Sequence, residues 1–354
     1  MKKHTVHALL VFLLLTVQFA QAQDKGTVKV DTIISALLAN NVIGVDNKRP
    51  ITIYLPPSYF NSNKRYPVMY LLHGTGDDHL NFVDDTKKYF TIQDLMDIGV
   101  SSHRFDEMIV VTPNENTQWG GSFYVNSSST GNWEDFTVKE LVNYIDTNYR
   151  TIAKAESRAI VGHSMGGFGA ITLAMKHPDV FSVTYGMNSG FPSFTSELNL
   201  KNPDVKKFIQ AKTIDELLAT KSRNAIGMLM VSQAFSPNPT KPPFYADKPY
   251  KIQAGKVIPN LAAYNKWLEY DVEKMAERYK ENLLKLRGVK FDCGDEEDIK
   301  LIEINSRLLS KKLTSLGIPH QFEQYNGDHR NRLWGLKGRI YNEVLPFVFD
   351  NLEK

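Results

Sequence analysis

Ser164 stands at the tip of "GHSMG" (162–166), with a glycine two residues away on either side. A serine hydroxyl attacks an acyl carbon only when a base takes its proton, so a histidine must reach it. The chain has nine histidines. On a sheet where the nucleophile sits between strand and helix, the partners follow in the order serine, acid, histidine. That order sets aside His4, His7, His73, His79 and His103, which precede Ser164. His163 adjoins the serine and is expected to point away from it, and His177 closes a helix in "KHPD". Of the remaining two, His320 reads as an edge position on a strand. His329, in the loop "YNGDHRNR", reads as the base. An acid must then hold the imidazole in one tautomer. After Gly294 the chain offers four carboxylates in succession, Asp295, Glu296, Glu297 and Asp298, and the pattern alone leaves all four open.

Such a constellation needs strands to carry it. Apolar runs at 51–55, 68–72, 108–112, 159–163, 183–187, 289–293 and 321–325 read as strands, most of them apolar throughout, as strands covered on both faces are. Helical patterns lie between them, at 134–149, after Ser164, at 300–317 and near the C-terminus. Alternating strands and helices predict an α/β fold, a mostly parallel sheet with helices on both faces. From about 191 to 287 the rhythm breaks around the proline-rich "SPNPTKPPFYADKP" (236–249) and resumes afterwards. The segment is therefore expected to be an insertion within one catalytic domain, 23–354, lying over the sheet edge as a lid.

Acyl transfer also needs donors for the developing negative oxygen. The backbone N–H of Met165 follows the nucleophile, and the glycine-rich "LLHGTGDD" (71–78) offers that of Thr75. The same loop lacks the lysine and spacing of a phosphate-binding P-loop.

These stretches resemble the esterase D family of α/β-hydrolases, which includes feruloyl and acetyl-xylan esterases, S-formylglutathione hydrolases, enterochelin esterases and mycolyltransferases. The resemblance is carried by "ITIYLPPSYFNSNKRYPVMYLLHGTGDD", "TGNWEDFTVKELVNYIDTNYRT", "RAIVGHSMGGFGAITLAMKHPDVF" and "FDCGDEEDIKLIEINSRLLSKKLTSLGIPHQFEQYNGDHRNRLW". It implies an α/β-hydrolase fold, Ser164 as nucleophile, His329 as base and no metal or organic cofactor. It places the acid three residues after the glycine, at Glu297, with Asp298 in the fourth place as the alternative. "NGDH" stands where "GGH" is commoner in the family. The implied substrates are small-molecule or polysaccharide esters.

Trp119, Phe123, Tyr124 and Trp133 cluster in "QWGGSFYVNSSSTGNW", and Trp119 and Trp133, with Phe244 of the insertion, are candidates for substrate contact. The first 22 residues have the three-part layout of a secretory signal peptide: "MKK", an apolar stretch and "AQA". They predict export, to the periplasm or the medium, with no membrane insertion after cleavage. Formal net charge is +3, of which Lys2 and Lys3 supply two, so the mature chain gives no electrostatic case for binding nucleic acid. Cys293 is the only cysteine, which excludes an intrachain disulfide and a thiolate metal cluster. An acyltransferase shares the same machinery. A catalytically inactive carbohydrate-binding module is the alternative from a different class.

Overall fold

The apolar runs enter one eight-stranded sheet. The computed structural model describes residues 25–84, 90–192 and 202–354, so the leader expected at 1–22 lies outside the described residues. The strands are β1 (Thr27–Ile34), β2 (Lys48–Leu55), β3 (Val68–Leu72), β4 (Ile109–Pro113), β5 (Arg158–His163), β6 (Val183–Met187), β7 (Gly288–Gly294) and β8 (Gln321–Tyr325). Their spatial order is β1-β2-β4-β3-β5-β6-β7-β8. β1 with β2 and β2 with β4 run antiparallel; the other pairs are parallel. This is the arrangement of an α/β-hydrolase.

The two-residue period of each strand assigns its side chains to opposite layers. In β3, Val68, Tyr70 and Leu72 face one core, and Met69 and Leu71 face the other. The second layer is closed by α1 (Ile92–Ser101), through Ile92 and Leu95, and by the C-terminal helix. The first is closed by α2, which begins as Trp133–Asp135 and continues through a π-helical stretch, Phe136–Leu141, into Val142–Asn148. It is also closed by α3 (Met165–Lys176), whose Phe168, Ile171 and Leu173 are buried. Each such side chain contributes roughly 1.5–3 kcal/mol of burial free energy.

α1 and β1 are not legible in the apolar pattern. α1 starts on a capping box, in which the Thr91 hydroxyl accepts from the Asp94 N–H and the Asp94 carboxylate accepts from the Thr91 N–H. β1 lies at the sheet edge with most of its side chains exposed.

Between β6 and β7 the chain adds a run of helices and a hairpin outside the main sheet. Its described part contains α4 (Pro203–Gln210), α5 (Ile214–Ala219), α6 (Arg223–Phe235), a hairpin of Tyr250–Gln253 with Lys256–Pro259, α7 (Leu261–Leu268), α8 (Val272–Arg278) and α9 (Lys280–Leu283). Phe208, Ala211, Leu217, Ala225, Leu229 and Phe244 make a small core of its own. The Ser127 and Ser129 hydroxyls bolt it to the body by donating to the Gln233 and Tyr245 carbonyls, both at 2.6 Å. No helix among the described residues is long and apolar enough to cross a membrane.

Candidate active site

Parallel strands deliver their carboxyl ends to one edge, and the residues with chemistry leave from there. β5 ends at His163, and the chain then turns through Ser164 at φ 56°, ψ −118° into α3. That left-handed backbone is costly for a side-chain-bearing residue and persists because its surroundings fix it. The Ser164 N–H donates to the Met187 carbonyl at 2.9 Å, and its carbonyl accepts from the Gly190 and Phe168 N–H groups at 2.8 and 3.1 Å. The flanking glycines are required by space. A Cβ at Gly162 would lie 2.1 Å from the Gly166 carbonyl oxygen, and one at Gly166 would lie 2.3 Å from that of Leu72.

His329 comes from the loop after β8 and is buried, 7% exposed. Ser164 Oγ lies 3.0 Å from His329 Nε2, and His329 Nδ1 lies 2.8 Å from Glu297 Oε2. A carboxylate only accepts, so the proton sits on Nδ1 and leaves Nε2 as the acceptor for the serine hydroxyl. Glu297 has no exposed surface, and its other oxygen accepts the Ile299 N–H at 3.0 Å. The three side chains therefore form one hydrogen-bonded line from hydroxyl to carboxylate.

The Asp295 carboxylate accepts the Gly327 N–H and the Glu296 carboxylate accepts from Asn326 Nδ2, both at 3.1 Å. The Asp295 and Glu296 N–H groups donate to the Tyr325 and Gly327 carbonyls, both at 2.9 Å, lacing the acid's loop to the base's loop. Asp298, the alternative acid, is exposed and makes no hydrogen bond to His329. Of the four carboxylates, Glu297 is the one hydrogen-bonded to the imidazole. Glu297, Asp298 and His329 offer donor atoms within 4.8 Å of one another, the spacing of a metal site. Two of the three are already committed to the triad hydrogen bond.

The loop after β3 runs beside Ser164. A Cβ at Gly74 would meet Ser164 Cβ at 3.3 Å. The Gly76 N–H donates to the Gly120 carbonyl at 2.7 Å, and the Asp77 N–H to that of Gly74 at 3.2 Å. Among the described residues, the Thr75 and Met165 N–H groups have no protein acceptor. Two unpaired amides next to a half-buried hydroxyl suit an oxyanion. His73 supports this loop from behind. Its Nε2 accepts the Glu115 N–H and its Nδ1–H donates to the Gly74 carbonyl, both at 2.9 Å. Burial pulls its pKa down to about 4, so it is neutral.

Two sequence expectations need correction. Trp133 is fully buried beneath the Arg49 guanidinium, 4.9 Å from the ring, and its indole N–H donates to the Thr130 carbonyl at 3.0 Å. It is a core residue and touches no substrate space. Phe244 is likewise consumed by the insertion's own core, packed edge-on against Phe208. The aromatic-rich segment around Phe123 mainly builds the seam between body and insertion, with Phe123 against Phe168 and Phe235. Trp119 differs: it is half-buried between the two cores, and its buried indole N–H has no acceptor among the described residues. It lies on the loop that Met230 of α6 overhangs, 3.6 Å from where a Gly120 Cβ would stand. Two surface crevices, of about 260 and 410 Å³, are lined by no triad residue.

His163 makes a contact that its place in the sequence does not announce. Its Nε2–H donates to the His329 carbonyl at 2.8 Å. No spacing rule announces such a contact, because it joins residues 166 positions apart.

The family described as "Putative esterase" matches residues 44–337. Over 133 residues the chain is 35% identical to an esterase of Mycobacterium tuberculosis, a match covering 36% of this chain and 26% of that protein. It is 28% identical over 161 residues to an endo-1,4-beta-xylanase/feruloyl esterase of Xylanibacter ruminicola, covering 44% of this chain and 21% of that one. The matches thus span about a quarter of the length of these relatives. A solved ferulic acid esterase superposes with a TM-score of 0.62 at 26% identity, covering 93% of this chain and 99% of the other.

Proposed function

The chain belongs to this esterase family, and from that membership we propose that it is a serine carboxylesterase acting on acyl esters of carbohydrates or on small acetyl or aromatic esters. The observation that carries the reading is the Ser164–His329–Glu297 line, with contacts of 3.0 and 2.8 Å. Ser164 attacks the acyl carbon while His329 Nε2 takes its proton, and Glu297 stabilises the imidazolium that results. The amides of Met165 and Thr75 hold the oxyanion. His329 then returns the proton to the departing alcohol, and water, activated by the same imidazole, frees the acyl group from Ser164. The similar ferulic acid esterase and xylanase/feruloyl esterase favour a plant-polysaccharide ester over a lipid. Trp119, half-buried beside Gly120 on the loop that faces Thr75, is the side chain proposed to meet the acyl part. Export belongs to the same reading and rests on the leader-like first 22 residues.

Mature protein is to be assayed on 4-nitrophenyl acetate and methyl ferulate beside Ser164→Ala. Wild type is expected to turn over at least one ester and to be labelled by a serine-directed phosphonate. Ser164→Ala is expected to lose at least about a thousandfold in kcat and all labelling. An unlabelled wild type that hydrolyses neither ester overturns the reading. Cell fractionation with mass measurement of the exported chain tests the leader; a product retaining Met1 in the cytoplasm removes export.

A further inference from the structure

We propose that His163 and Asn188 are positioning residues, a two-donor clamp on the backbone of the base, an inference that rests on the triad reading above. His329 sits in a loop that follows the edge strand β8, with Arg330 and Arg332 exposed beside it. Its imidazole must nevertheless be held to within a fraction of an ångström of Ser164. The His329 carbonyl accepts from two side chains, His163 Nε2–H at 2.8 Å and Asn188 Nδ2 at 3.3 Å. A carbonyl has two lone pairs, and both are used. The His163 ring lies with its centroid 4.8 Å from that of His329, tilted by 46°.

Asn188 does more than hold one atom. Its Nδ2 also donates to the Tyr325 hydroxyl at 2.7 Å, and its Oδ1 accepts the Gly294 N–H at 2.9 Å. Tyr325 ends β8 and Gly294 ends β7, three residues before Glu297. One buried amide, on a residue at φ 40° just past β6, thus fixes the strand ends that launch both the acid and the base. Asparagine is among the residues that tolerate that backbone. His163 adds a direct link from the residue preceding the nucleophile to the base itself. Nucleophile, base and acid therefore share one hydrogen-bonded frame under the side chains that react.

Misplacing a catalytic group by about 1 Å costs on the order of a hundredfold in rate. His163→Ala and Asn188→Asp are therefore expected to lower kcat on 4-nitrophenyl acetate about ten- to a hundredfold, per folded molecule by circular dichroism, with KM within about twofold. His163→Gln, whose amide N–H can occupy the place of Nε2–H, is expected to recover most of the loss. A second readout does not need turnover: the far-downfield proton NMR signal of His329 Nδ1–H, sharp in wild type, should broaden or vanish in His163→Ala and return in His163→Gln. Unchanged kcat and an unchanged signal in His163→Ala and Asn188→Asp overturn the clamp while leaving the esterase reading intact. So does a His163→Gln as impaired as His163→Ala, with the loss tracking the unfolded fraction. A wild type with the signal but no ester turnover would instead sink the esterase reading.

Discussion

Glutamate 297 and aspartate 298 carry the same charged group one peptide apart, and their chemistry differs only through where the turn after β7 aims them. Glu297 points inward, loses all contact with solvent and spends both oxygens, one on His329 Nδ1 and one on the Ile299 N–H. Asp298 points out. Glu297→Gln keeps the volume but presents an amide where the imidazole N–H needs an acceptor, favouring the wrong tautomer. It should lower kcat by about 10³–10⁴. Asp298→Asn should stay within about twofold of wild type, measured as kcat on 4-nitrophenyl acetate. The opposite ranking would move the acid to Asp298. At this scale the serine turn and the chain order of a triad single out Ser164 and His329, which lie 3.0 Å apart. The choice among four adjacent carboxylates depends on which side chain a loop turns inward, and residue types carry no record of that. The same blindness hid His163 and Asn188 and turned Trp133 and Phe244 into substrate candidates, since a tryptophan in a core and one in a cleft look alike in sequence.

The elements bearing these residues were more legible, because burial on both faces writes itself as uninterrupted apolar runs. β3, β5 and β6 are buried at every position, and all were evident. β1 was not, being mostly solvated at the edge, and the insertion gave only its place, since α4 and α5 bury no more than two residues each. The turn between β5 and α3 is where element and chemistry meet. There, packing between backbones sets the limit: a Cβ on Gly166 would stand 2.3 Å from the Leu72 carbonyl oxygen and 2.7 Å from that of His73. Leu72 is paired with Gly162 of β5, so its carbonyl cannot withdraw without disturbing that pairing. Gly166→Ala should therefore cost more than about 3 kcal/mol, at the upper end of overpacking penalties. Gly227 on α6 has nothing within 4 Å of its Cβ position. Gly227→Ala should stabilise by about 0.5–1 kcal/mol through helix propensity alone. Urea denaturation midpoints of the two variants check the contrast, and similar values for both would mean that the turn yields where its packing says it cannot.

Over the whole molecule, one free cysteine leaves stability to the core, and that core encloses ionisable groups that couple folding to pH. Cys293 itself is inert: burial pushes its thiol up to about 12. His73 and Glu115 are the consequential pair. Burial lowers His73 from 6.5 to about 4 and raises Glu115 from 4.5 to about 8, against the pull of the Thr137 hydroxyl and of Arg49. The unfolded chain binds a proton at His73 below about 6.5 that the native state refuses until about 4, so His73 removes stability as pH falls through that window. Glu115 acts in the other sense. The native state keeps a proton that the unfolded chain releases above 4.5, so stability is lost as pH rises from 4.5 to about 8. The two slopes cancel between about 4.5 and 6.5, and above 6.5 only the Glu115 loss remains, on the order of 2 kcal/mol by pH 8. Glu115→Gln keeps a neutral side chain of similar shape and has no proton to lose. Its stability relative to wild type should rise steadily from pH 4.5 to 8 and level off beyond. Denaturation of both proteins across pH 4–9 measures that difference, and other titrating groups drop out of it because the two chains share them. A flat difference curve would mean that Glu115 ionises in the native interior at ordinary carboxylate pH, held there by Arg49.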